Sequence, residues 1–175
     1  MEHDTLYKEK MILNCLSHLP RKILSMEDHN NVTEFVLHEL CHENCYNLNK
    51  GAYFIDNPDF NCCKGVVGFS RTESYATDGI WQEPDLFTQH MQKSPFNQQV
   101  RKWNHCSLTK DATSDQQWAD IIATDLNLSQ PHFCSWVMKN NNHGIFVYEK
   151  NDQEDGIDTD QLITGLCLLG FCPIF

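Results

Sequence analysis

The chain has 175 residues and a net charge of -11, from 13 Lys and Arg against 24 Asp and Glu. A chain this long buries roughly 70% of its unfolded surface and needs neither disulfide nor metal to hold a core. Apolar residues at 41% and charged residues at 21% exclude an intrinsically disordered chain, and the acidic balance disfavours a nucleic-acid partner.

The apolar spacing of Leu6, Met11, Ile12, Cys15 and Leu16 predicts an N-terminal helix over 5–18 that stops before Leu19-Pro20, with Arg21 to Met26 extended. The lead-in to the domain thus spans 1–30. Asn30 or Asn31 caps a second helix, Val32 to about Leu48, ended by the Asn47-Leu48-Asn49-Lys50-Gly51 stop signal. Strands follow at 52–55 and 65–69, separated by the Asp56-Asn57-Pro58-Asp59 turn. The polar stretch from Ser70 to Pro84 reads as a surface loop. Helical patterns cover 85–91, 95–103 and 114–126, and a hairpin joins 132–139 to 145–150 through Asn140-Asn141-Asn142-His143-Gly144. A buried helix from Thr159 to Leu169, capped by Asp158, comes last.

These elements describe one α+β domain over 1–175, with about four to six helices on a mostly antiparallel sheet of about four or more strands. The longest apolar runs, such as 165–171, are about a third of the ~20 residues a spanning helix needs, so no membrane partner is expected. Nine cysteines scattered along the chain, with no secretory pattern at the start, suit a reducing cytoplasm and free thiols.

The segment richest in chemistry is Phe35-Val36-Leu37-His38-Glu39-Leu40-Cys41-His42-Glu43-Asn44-Cys45. Its His38-Glu39-Leu40-Cys41-His42 run fits H-E-x-x-H and resembles the zinc-binding helix of the zincin metallopeptidases. Histidines four apart share a helix face and can ligate one Zn²⁺. The resemblance implies His38 and His42 as ligands and Glu39 as the general base on a zinc-bound water, hence a zinc-dependent hydrolase. It covers five residues, and Glu43 and Asn44 depart from the uncharged residues that usually follow in that family. The metzincin extension is missing as well.

A second reading takes two or three of His38, Cys41, His42 and Cys45, at i, i+3, i+4 and i+7, as ligands of one soft or borderline metal in a structural or sensory site completed by Cys62 or Cys63. The same stripe is also what a helix packs against its own domain, with cysteine acting as a small hydrophobe. On that reading the chain is a non-enzymatic acidic interaction or regulatory domain without a metal. A protein partner would then meet Tyr75, Ile80 and Trp81 in the polar loop.

Overall fold

The computed structural model describes residues 2–26, 28–75, 79–110, 114–151 and 158–172. In chain order its elements are α1 (Glu2–Leu24), α2 (Val32–Cys41), β1 (Leu48–Asn57), β2 (Cys62–Ser70), α3 (Pro84–Lys93), α4 (Pro95–Lys102), β3 (Asn104–His105), α5 (Asp115–Asp125), β4 (His132–Val137), β5 (His143–Lys150) and α6 (Thr159–Leu166). The five strands form one antiparallel sheet in the order β3-β2-β1-β5-β4. The molecule is thus α+β, with helices on both sheet faces. On one face α1, α2, α3 and α6 bury Leu19, Phe35, Leu37, Leu40, Phe87 and Leu162 against Tyr53, Val67, Phe69 and Phe146. On the other, α4 and α5 close Phe96, Val100, Trp118 and Ile122 over Ala52, Phe54, Ile145 and Val147. Each of these large side chains contributes on the order of 2 kcal/mol when fully buried.

Strand alternation sends Tyr53 to the α1/α2 side and Phe54 to the α4/α5 side. On β2 the alternation is interrupted. Tyr53 pairs with Val67 but Phe54 pairs with Gly65, so Val66 is an extra residue in a β-bulge. Cys63 therefore faces α4 and α5, whereas Val67 and Phe69 face α2. β3 pairs with β2 only at Cys63 and Lys64, and beyond the bulge α4 covers that sheet edge. The Gly68 amide donates to Asn97 Oδ1 at 2.9 Å, and the Gly65 amide donates to the Trp103 carbonyl at 3.0 Å. Close approach is possible because both β2 positions lack a side chain: a Cβ on Gly65 would lie 1.9 Å from the Val100 carbonyl oxygen.

Two helix boundaries differ from the sequence expectation. α1 runs through Pro20 to Leu24 instead of yielding to an extended segment at 21–26. Pro20 lies on the exposed side, where water can satisfy the freed carbonyl, while Leu19 and Ile23 hold the opposite side to the core. α2 ends at Cys41, well before the expected stop near Leu48. His42 is already extended at φ -65° and ψ 161°, and the chain turns tightly through Asn47 at φ 53° into β1. The hairpin turn meets expectation: Asn140 and Asn141 take φ 58° and 57°, the left-handed region asparagine tolerates. Among the described residues no helix is long and apolar enough to cross a membrane.

Candidate functional site

α1 and α2 pack side by side, and between them opens a cleft of about 300 Å³. From α1 come Met11, Asn14, Cys15, His18 and Lys22, spaced i, i+3, i+4, i+7 and i+11 and so on one helix face. His38, Glu39, His42 and Asn44 line the opposite wall, and Ile80 closes one end. All three letters of the H-E-x-x-H run therefore reach one cavity, but each is held differently from the arrangement its spacing suggests.

His38 is 3% exposed and wedged between the edges of Phe69 and Phe87, with ring centroids 5.2 and 5.0 Å away. Its Nε2 accepts the Tyr75 amide at 3.2 Å, which places the ring proton on Nδ1. Burial, with His42 and His90 nearby, pushes its pKa down to about 3, so the imidazole is neutral at neutral pH. His42 has left the helix. Its ring stacks against His38 at 5.9 Å and 22°, and its backbone amide still donates to the His38 carbonyl at 3.0 Å.

Both carboxylate oxygens of Glu39 are engaged. One forms an ion pair with Lys22, and the other accepts the Trp81 indole N–H. Lys22 also lies 5.6 Å from the Trp81 ring centroid. A general base must have a free lone pair beside the water it activates, and here Glu39 bridges α1 to the 79–83 segment instead.

The cysteines divide between the two sheet faces. Cys41 and Cys45 are buried on the α2 side, whereas Cys63 is buried with Ala52 and Phe54 on the α4/α5 side. Cys62 is half-buried and its Sγ lies 3.4 Å from Asn104 Oδ1. Neither Cys62 nor Cys63 joins the α2 residues: the sheet stands between Cys63 and α2, and Cys62 pairs with Asn57 at the far end of β1 from Gly51, where the Cys41 thiol lies. Burial pushes the Cys41 thiol well up, only partly offset by Arg71. Cys63 is pushed up by burial and by the neighbouring Asp56 carboxylate. Cys45 is raised first by a hydrogen bond with Cys15 and then by burial. Among the described residues, no three His, Cys, Asp or Glu side chains converge as a bound metal requires. The donors as arranged do not fit a zincin-type zinc site.

The expected contact residues turn inward. Ile80 is 6% exposed. Trp81 packs on Phe35 at 5.2 Å, and Tyr75 meets Phe87 and His90 at 5.9 and 5.3 Å. They do not form a projecting surface, because the 79–83 segment folds back over α2. The α1 half of the cleft escaped the sequence reading, although Asn14, Cys15, His18 and Lys22 form a polar stripe beside the apolar one.

The chain matches no known protein family and no curated protein. Among solved structures it is similar to SdiA in complex with octanoyl-rac-glycerol, at 15% identity and a TM-score of 0.40, over 89% of this chain and 62% of that one. The chain therefore spans less than two thirds of the length of that structure's chain.

Proposed function

We propose that this chain is a non-catalytic binding domain whose α1/α2 cleft takes a small molecule. The observation that carries this reading is the convergence of α1 and α2 side chains on one cleft in which Glu39, the one carboxylate among the described lining residues, is already paired. Its volume of about 300 Å³ falls at the lower end of small-molecule sites, and its lining mixes apolar groups with a few converging polar ones. Met11 and Ile80 offer apolar contact, while Asn14, His18, His42 and Asn44 offer hydrogen bonds. Glu39 and Lys22 neutralise each other, so the site suits an uncharged, partly polar ligand better than a strongly ionic one.

A fragment library of such compounds, screened by NMR on the whole chain, tests the proposal. Binders should perturb the Trp81 indole resonance, because that indole holds Glu39 at the cleft wall. Asn14→Trp, an exposed α1 position, should fill the cleft and weaken them about tenfold or more. Binders that map elsewhere, or that bind Asn14→Trp equally well, overturn it. Stoichiometric zinc uptake lost in both His38→Ala and His42→Ala would favour the zinc reading instead.

A further inference from the structure

The sheet has one long edge whose backbone is unpaired among the described residues. β3, at one end, has two residues, whereas β4, at the other end, runs six residues from His132 to Val137. The Met138 amide donates to the Asn142 carbonyl at 2.7 Å, in register with the neighbouring Val137–His143 pair. Ladder bonds alternate along an antiparallel strand, so Cys134 and Trp136 turn their N–H and C=O groups toward β5 while Phe133, Ser135 and Val137 turn theirs outward. Among the described residues none of these outward groups has a partner. Edge strands in natural proteins are blunted by a charge, a proline or a bulge. β4 has none of these: residues 132–137 include no Asp, Glu, Lys, Arg or Pro, the pairing with β5 runs without a register shift, and Val137 is 75% exposed.

We infer that this edge is an interface at which a second copy of the chain pairs its own β4 antiparallel, joining the two sheets into one continuous sheet. The outward pattern of β4 is its own complement. Centred on Ser135, the pairing sets Ser135 opposite Ser135 of the second copy and Phe133 opposite Val137 of the second copy. In every such row both strands direct N–H and C=O across the gap, so each outward amide of Phe133, Ser135 and Val137 meets an outward carbonyl. The exposed Val137 gains an aromatic cross-strand neighbour, and the two Ser135 hydroxyls come within reach of each other. Charge selects the same edge. Each copy carries a net charge of -11, so two copies repel least where a strip without fixed charge faces its like. His132, the one basic side chain in the strip, is held below its ordinary pKa by partial burial and by Lys150, so it adds little charge at neutral pH. A contact confined to one strand belongs to the small, transient class of interface, and the dimer therefore forms in a concentration-dependent way.

The test is sedimentation velocity on the full, reduced chain from about 5 to 500 µM, where the mass should double with concentration. Amide exchange followed by NMR reads the surface used. Phe133, Ser135 and Val137 should exchange about tenfold or more slowly in the concentrated sample, while Cys134 and Trp136, bonded to β5, stay equally protected in both. Val137→Lys places a charge at the exposed edge and should weaken the dimer about tenfold or more, with thermal unfolding of the dilute chain unchanged. Ser135→Pro removes the central outward amide without touching the β5 ladder and should act alike; Val137→Lys decides the matter if Ser135→Pro folds poorly. A wild-type chain that stays monomeric throughout overturns the inference, as does a dimer that Val137→Lys leaves intact or one in which the three outward amides stay unprotected. A monomer whose outward amides are protected only by an added extended peptide overturns the second copy as the occupant.

Discussion

Acidification should destabilise this fold through His38 before it affects most carboxylates. The unfolded chain carries His38 with an ordinary pKa near 6.5, whereas in the folded chain it lies near 3. Between these values the unfolded state takes up a proton that the folded state refuses. The contribution is therefore fully present above ~6.5, declines as pH falls, and is completely lost near ~3. At pH 5.0 the cost is about 1.5 pH units times ~1.4 kcal/mol, or ~2 kcal/mol. The side chain is 3% exposed, so solvent screening takes little from that figure. Urea unfolding at about pH 7.5 and 5.0 measures it, as a midpoint drop of roughly 1 M for a typical denaturant slope of ~2 kcal/mol/M. His38→Gln keeps an acceptor for the Tyr75 amide but cannot be protonated, and it should lose most of this drop. An equal drop in His38→Gln would refute the reasoning, because the titration would then reside elsewhere.

Gly65→Ala should destabilise by ~3 kcal/mol or more, read by thermal unfolding, because its new methyl group meets the rigid Val100 carbonyl 1.9 Å away. Asp56→Ala should cost ~2–4 kcal/mol and expose 107–109 to proteolysis, because the buried carboxylate accepts from Ser107 Oγ and the Leu108 amide at 2.9 Å each and from the Thr109 amide at 3.3 Å. Glu39→Gln keeps an acceptor for Trp81 but loses the charge opposite Lys22. It should cost under ~1 kcal/mol in urea while shifting the Trp81 fluorescence, since the pair is partly solvated. Asn140→Val should cost about 1–2 kcal/mol by thermal melting, because a β-branched residue resists φ 58°, whereas Asn140→Gly should be nearly neutral.

Local patterns in the sequence made most of the architecture readable. Asparagine-rich punctuation marked the β4–β5 turn because only a few residue types accept its backbone angles. The helical pattern over 114–126 marked α5, whose start the structure fixes with a reciprocal capping box between Ser114 and Gln117. The misread boundaries were settled by partners distant in sequence. Pro20 looked like a stop, but its exposed side lets Leu19 and Ile23 carry the helix onward. α2 ended early because the chain must turn at Asn47 to deliver Leu48 into the sheet. Spacing alone brought His38, Glu39 and His42 to one cavity, yet could not reveal that Tyr75 would already engage His38 and that Lys22 and Trp81 would already engage Glu39. Nor could the adjacent Cys62-Cys63 letters show which sheet face each thiol would take.

The bulge at Val66 makes β2 behave as two half-strands with opposite parity. Upstream of it, odd-numbered residues belong to the α4/α5 core; downstream, odd-numbered residues belong to the α1/α2 core. Removing Val66 would delete one apolar side chain and close the bulge, yet it would leave Val67 to Ser70 on the faces they already hold, because Gly65 and Val67 already face opposite sides of the sheet. Phe69 would still support the His38 ring, and Gly68 would still donate its amide to Asn97. The bulge thus carries one residue that the pairing with β1 does not need, and its loss is felt where Val66 packs on the α1/α2 side and not as a change of frame for the interior.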